Sequence, residues 1–333
     1  MTSATATPRP PLASTAPGFG RYAWILLGYL VFVIVFGAWV RITGSGAGCG
    51  DHWPLCQGAV VPASPELETI IEYSHRLTSG LLGPMCLALC VWAFVGAGKR
   101  PVVQRLSLAV TFFVVVEALI GAGLVKGGLV ADDDSVARAV VIALHLGNTL
   151  LLTGSAALLA WIGGGRSAHF SVRPADVLSL VAIVVVSMTG AVTALGDTLF
   201  PVSPASDGGV FAKVRDGLDA GSHFLVRLRV VHPMLAVLTA LWLLWRSGEL
   251  SRKLPTGSDA RALQRALHGL LWAELLVGTG NVLLAAPGWL QLVHLTLAQG
   301  VWIALVLCVV TSGTTPTATL RQRSEAGVGG SLP

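Results

Sequence analysis

The chain alternates between long apolar runs and short polar interruptions, a pattern far coarser than the period of an amphipathic surface helix. Runs of about 20 residues, the length that crosses roughly 30 Å of hydrocarbon, recur near 23–42, 70–97, 106–126, 139–161, 176–195, 226–246, 266–286 and 290–311. They predict eight transmembrane helices, because a span in lipid must satisfy its backbone hydrogen bonds within itself. The first run follows a Pro/Ala/Thr-rich stretch, exceeds a typical signal-peptide core and lacks a small-residue cleavage site, so it is read as a retained helix. Residues 1–22 and 312–333 are too poor in bulky apolar side chains to build a core and are expected to be a disordered leader and tail.

Composition agrees with that reading. Of 333 residues, 53% are hydrophobic and 12% charged, which leaves too little polar surface for a soluble protein of this size. Basic residues mark the cytoplasmic ends of membrane helices, and Arg21, Lys99, Arg100, Arg105, Arg166, Arg173, Arg246, Arg252, Lys253, Arg261 and Arg265 fall on one side. The acids Asp51, Glu66, Glu68, Asp132, Asp133, Asp134, Asp197, Asp207, Asp216 and Asp219 fall in or beside loops on the other. This predicts a multi-pass protein of the cell membrane with both termini cytoplasmic. The net charge of +5 comes largely from loops that would face anionic lipid, so it is no sign of nucleic acid.

An internal repeat divides the eight helices into two sets of four. A shift of 157 residues carries Glu117-Ala118-Leu119-Ile120-Gly121-Ala122-Gly123-Leu124-Val125 onto Glu274-Leu275-Leu276-Val277-Gly278-Thr279-Gly280-Asn281-Val282, and also His75 onto His232. His145 and His294 follow as the later histidine of each half, at an offset of 149. A weaker echo pairs Gly50, Asp51 and Pro54 with Gly196, Asp197 and Pro201. The expectation is all-α: two tandem four-helix bundles, 23–161 and 176–311, joined by a cytoplasmic linker at 162–175. An even number of spans per unit implies a pseudo-two-fold axis along the membrane normal, unlike the inverted repeats of many transporters.

His75, His145, His232 and His294 fall one on each even-numbered helix, all at the outer end. Neutral imidazole is a strong axial ligand of haem iron, and a macrocycle held between two helices takes one nitrogen from each side. The pattern therefore predicts one histidine pair, and one haem, per half. A single intramembrane histidine would more simply hydrogen-bond a neighbouring helix, but four in register are not explained that way. A zinc or copper centre would need ligands converging on one point, whereas the repeat separates them into pairs. His52, His169, His223 and His268 lack the pattern and are read as solvated or locally bonded, with His223 close to the outer face.

Several ionisable groups accompany the histidines. Glu72 precedes His75 by three residues, so both lie on one helical face. A carboxylate just inside hydrocarbon is a functional candidate by cost alone, the plainer alternative being an i,i+4 ion pair with Arg76. Arg76, Arg227 and Arg229, with Arg41, are basic residues on the outer half against the prevailing trend, and the first three are the candidates for binding haem propionates. Glu117 and Glu274 are read as interhelical hydrogen-bond formers. Cys49 and Cys56, in an outer loop where disulfides persist, are expected to be bonded rather than free. Cys86, Cys90 and Cys308 lie in helices and are expected only to pack.

Taken in order, Gly44-Ser45-Gly46, Trp53-Pro54-Leu55-Cys56, Glu72-Tyr73-Ser74-His75-Arg76, His145-Leu146-Gly147-Asn148, Arg229-Val230-Val231-His232-Pro233 and His294 resemble the haem A synthase family, from about residue 22 to 312. That resemblance implies oxidation of a ring methyl of haem O to a formyl group by successive hydroxylations, in the assembly of cytochrome oxidase. It implies that His75 and His145 face substrate haem O, that His232 and His294 ligate haem b, and that Glu72 is the essential acid. Cys49 and Cys56 correspond to the first-loop pair of many bacterial members, and no second pair exists at 196–223. The implied partners are haem O, a haem O synthase that supplies it, and an unidentified electron acceptor; a homo-oligomer is compatible with the sequence.

A di-haem b-type electron carrier would also use paired histidines, but such carriers commonly place haems at two depths. A haem chaperone or transporter would have little use for an acid beside one haem only. Glu72 stands where the second half has Arg229, three residues before His232. That asymmetry favours one reactive and one non-reactive half.

Overall fold

The computed structural model describes residues 18–63, 65–96, 100–170, 172–201 and 209–312. The expected leader and tail lie almost wholly outside these residues. Among them the α-helices are α1 (Phe19–Ile42), α2 (Leu67–Val95), α3 (Pro101–Lys126), α4 (Val136–Gly163), α5 (Pro174–Leu199), α6 (Gly209–Leu218), α7 (Phe224–Lys253), α8 (Asp259–Leu283) and α9 (Gly288–Thr311). All except α6 are long and apolar enough to cross a membrane. The protein is an all-helical, multi-pass membrane protein with the eight expected spans.

Helix ends depart from the apolar runs for local reasons. At α4, Ser135 Oγ accepts from the Arg138 amide at 3.1 Å, and at α8 Ser258 Oγ accepts from the Arg261 amide at 3.2 Å. Each serine satisfies a first-turn donor several residues before the apolar run begins. Pro101 and Pro174 open α3 and α5, where a missing N–H costs nothing. The short helix α6 was not expected, since its mixed sequence forms no apolar run. It rests on α7 at Gly217, where a Cβ would collide with the Val230 side chain.

The membrane helices form two rings of four. In the first, α1 packs on α2, α2 on α3, α3 on α4 and α4 back on α1; in the second, the order is α5, α7, α8, α9 and back to α5. Thus α2 lies diagonally across from α4, and α7 from α9. The rings join through α1 and α4 on one side and α5 and α9 on the other. One core centres on Phe19, Leu26, Leu89 and Leu159, a second on Leu243, Leu267, Leu271 and Leu305.

In lipid, helices associate by close packing and interhelical hydrogen bonds, and small residues let backbones approach. At the α1–α4 crossing, a Cβ on Gly20 would sit 2.5 Å from the Gly164 Cα. Between the rings, the Trp302 indole of α9 donates to the Leu150 carbonyl of α4 at 2.7 Å, across the notch left by Gly154. Arg41, at the end of α1, donates to the Ala194 carbonyl at 2.6 Å and to Thr198 of α5, and to Gln291 Oε1 of α9 at 2.9 Å. One buried guanidinium therefore ties three helices across the junction.

Gly20→Leu should force α1 and α4 apart at a backbone contact that cannot yield. The expected loss is about 1–3 kcal/mol of stability, read as a lower thermal midpoint of the detergent-purified protein. An unchanged midpoint would show that the crossing is looser than described.

Candidate functional site

The four intramembrane histidines all project from diagonal positions. His75 is on α2 and His145 on α4, His232 on α7 and His294 on α9. Neither diagonal pair of helices packs closely, each being held by its two flanking helices. His232 and His294 stand with ring centroids 6.3 Å apart and planes at 76°.

Glycines on flanking helices make room for three of the rings. A Cβ at Gly37 of α1 would lie 3.2 Å from His75 Nε2, one at Gly190 of α5 2.9 Å from His232 Cε1, and one at Gly278 of α8 3.1 Å from His294 Cε1. In each ring Nδ1 is engaged or enclosed. His232 Nδ1 is 3.1 Å from the Val186 carbonyl. His145 Nδ1 is 3.1 Å from Glu117 Oε1, and His294 Nδ1 is 3.2 Å from Glu274 Oε1. These two contacts are close in distance but bent, so neither nitrogen makes an aligned hydrogen bond. His75 Nδ1 is buried with no partner at all. The bland interhelical role expected for Glu117 and Glu274 thus has a specific object, the later histidine of each half.

Glu72 and Arg76 fasten the loop between α1 and α2 onto α2. Arg76 Nη2 lies 2.5 Å and Nε 3.0 Å from Glu72 Oε1, while Glu72 Oε2 accepts from the Cys49 amide at 2.8 Å. Arg76 Nη1 donates to the His52 and Leu55 carbonyls at 2.5 and 2.6 Å. Cys49 and Cys56 form a disulfide within this loop, so the clamp grips a loop already closed on itself. Glu72 is buried, one turn from His75. The i,i+4 pair is therefore present, and it adds to the acid's neighbourhood with His75 rather than removing it.

The second half holds its loop differently. Arg229 Nη2 donates to the Gly196 and Phe200 carbonyls, each at 2.5 Å, and Nε is 3.1 Å from Asp197 Oδ1, again bent rather than aligned. In each half an arginine close to the earlier histidine grips carbonyls at the outer end: Arg76 just after His75, Arg229 three residues before His232. Arg227 is exposed and makes no side-chain ion pair among the described residues. Arg138, not singled out in the sequence, is buried and donates to the Ala131 and Asp133 carbonyls at 2.6 and 2.7 Å.

Three of the other histidines have side-chain partners, His223 also lying 3.5 Å from Asp134. His268 meets Ser247 Oγ at 3.1 Å and accepts from Trp272 at 3.3 Å; His223 caps α7; His52 neighbours Asp51 at 3.3 Å. Cys86, Cys90 and Cys308 are buried free thiols. An apolar groove beside Pro84, Leu87, Val91 and Trp92 lies toward the opposite end of α2 from His75 and takes no part in this site.

The spacing of the second-half pair fits two imidazoles on one metal. Two imidazoles bound to one metal at roughly 2 Å each place their ring centroids about 6 Å apart, which is the His232–His294 spacing. No group of three or more His, Cys, Asp or Glu able to hold a metal ion occurs among the described residues, so the arrangement offers pairs of ligands and not a closed zinc site.

The fold is a multi-pass helical bundle whose four intramembrane histidines stand on diagonal helices. The chain belongs to the COX15-CtaA family, described as cytochrome oxidase assembly protein, whose model matches residues 20–306. Two Thermus thermophilus proteins, each named Protoheme IX farnesyltransferase, are 45% identical over 315 residues, 93% of this chain and 50% of theirs. The Heme A synthase of Alkalihalophilus pseudofirmus is 40% identical over 130 residues, 39% of this chain and 41% of that protein; that of Bacillus licheniformis is likewise 40% identical over 130 residues. The chain spans about half the length of the Thermus relatives it matches.

Arg76→Ala should release the first outer loop and leave Glu72 as an unpaired buried charge. Removing one partner of a buried ion pair costs about 3–5 kcal/mol. The expected result is faster proteolytic cleavage between residues 45 and 65 together with a lower thermal midpoint. Unaltered cleavage would separate Arg76 from loop closure.

Proposed function

We propose that this protein is a haem A synthase, oxidising the methyl group of haem O to a formyl group in the assembly of cytochrome oxidase. The observation that carries the reading is the burial of Glu72 one turn from His75 in only one of two otherwise matched histidine-pair sites. A di-haem electron carrier needs no such acid. The family membership and the names of the shorter relatives support the same reading.

The N-terminal half, 23–161, is the substrate half, with His75 and His145 holding the iron of haem O. The C-terminal half, 176–311, holds haem b through His232 and His294, and 162–175 links them on the cytoplasmic side. When bound, haem b supplies one-electron redox chemistry. Both termini are cytoplasmic and both sites lie toward the outer face. Support comes from the basic loops on one side and the disulfide-bonded loop on the other.

Glu72 acts on charge and protons. Converting a methyl to a formyl group takes one water and releases four electrons and four protons in two stages. A carboxylate stabilises positive charge developing on the methyl carbon and accepts a proton from the attacking water. The bonds from Arg76 and the Cys49 amide fix its place. The electrons leave to an acceptor outside the chain. For the haem propionates, Arg227 is unpaired and Arg229 keeps Nη1 uncommitted, whereas Arg76 spends most of its donors on the loop. A protohaem IX farnesyltransferase, the activity named for the longer Thermus relatives, is the proposed source of the substrate.

Co-expression with a source of haem O, followed by extraction and chromatography of the bound haems, tests the reaction. The intact chain should yield haem A and its hydroxylated precursor. Glu72→Gln should lower the haem A yield at least tenfold while haem O remains bound. Bound haem O with no haem A from the intact chain would favour a carrier, and full yield from Glu72→Gln would remove the acid from the mechanism.

A further inference from the structure

We propose that Glu117 and Glu274 are positioning residues for the two later histidines, and that they act unequally, leaving His294 the more electron-rich iron ligand and His145 the less. This rests on the reading that each half binds a haem between its histidines. The carboxylates occupy matching places in the repeat, each 3.1–3.2 Å from the Nδ1 of the histidine on the following helix. A carboxylate at Nδ1 keeps the proton there, directs Nε2 to the metal and raises the basicity of the ring. A more basic axial ligand stabilises ferric iron, so the reduction potential of that haem falls.

The two carboxylates differ in what else they hold. Glu117 Oε2 accepts from Asn148 Nδ2 at 2.6 Å, and Oε1 is in hydrogen-bond contact with Thr149 Oγ1. The Thr149 hydroxyl also reaches the His145 carbonyl at 2.9 Å, so it is a shared donor, whereas Asn148 has a second amide hydrogen for the Phe113 carbonyl at 3.0 Å. Among the described residues, Glu274 Oε2 is buried without a hydrogen-bond partner. The residues three and four past His294 are Leu297 and Ala298, where the first half has Asn148 and Thr149 after His145. Neither side chain can donate. Each added donor draws carboxylate charge away from the imidazole, so Glu117 is divided among several groups while Glu274 is directed to His294 alone. The result is a lower potential at the C-terminal haem than the shared histidine ligation would give.

Spectroelectrochemical titration of the purified, haem-loaded full chain tests this, with each step assigned to a half by its loss in His75→Ala or His294→Ala. Glu274→Gln should raise the potential of the C-terminal haem by more than Glu117→Gln raises that of the N-terminal one. Exchanging the neighbouring donor gives variants that keep both acids: Leu297→Asn should raise the C-terminal potential, and Asn148→Leu should lower the N-terminal one. A role confined to packing would move neither. Equal shifts from the two Glu→Gln variants, a larger shift for Glu117→Gln, or unmoved potentials with unchanged low-spin spectra would overturn the proposal. A chain that takes up no haem, or whose haem spectrum survives loss of the histidines, would overturn the underlying reading instead.

Discussion

An imidazole within a membrane bundle has two ring nitrogens and no water to satisfy them. That constraint organises the end of the bundle that carries the histidines. Nδ1 is turned toward a carbonyl in His232 and toward carboxylates in His145 and His294, which leaves Nε2 as the nitrogen for a metal. Because the histidines sit on diagonal helices that are held apart by their neighbours, the rings of a pair face across the centre of a ring of four helices. The flanking glycines Gly37, Gly190 and Gly278 allow the rings to lie close against backbone, fixing their orientation without filling the centre.

The loops over the two sites follow from the same economy. Loop carbonyls near a membrane surface need donors, and the outer arginines provide them, Arg76 for the first loop and Arg229 for the end of α5. In the first half this clamp also includes a buried acid and a disulfide-bonded segment. Glu72 is therefore both a fastening for the loop and the only carboxylate one turn from a histidine of the set. The second half has an arginine at that position. Two halves related by a sequence repeat thus carry different polar fillings, an acid before His75 and an arginine before His232.

Much of this was legible in the sequence because the membrane makes it so. Spans, their number and the placement of His75, His145, His232 and His294 follow from hydropathy, since lipid leaves little alternative to a helix. The E-x-L-x-G-x-G-x-V repeat located Glu117 and Glu274 but could not say what they faced, because that depends on how α3 meets α4 and α8 meets α9. The partners of Arg41 and Arg138 were hidden for a related reason: they are backbone carbonyls and uncharged side chains, which leave no spacing pattern. The helix α6 escaped because ten mixed residues give no apolar run, and the loop carbonyls that Arg76 binds leave no trace in its spacing from Glu72.

The central claim is that the four histidines act as two pairs, each within its own half. Electron paramagnetic resonance of the haem-loaded full chain and its four single His→Ala variants tests it directly. The account expects His232→Ala and His294→Ala to abolish the same bis-histidine low-spin signal while leaving the other, and His75→Ala and His145→Ala to affect only that other one. Loss of one signal on mutating a histidine from each half would contradict it, because the ligands would then pair across the junction.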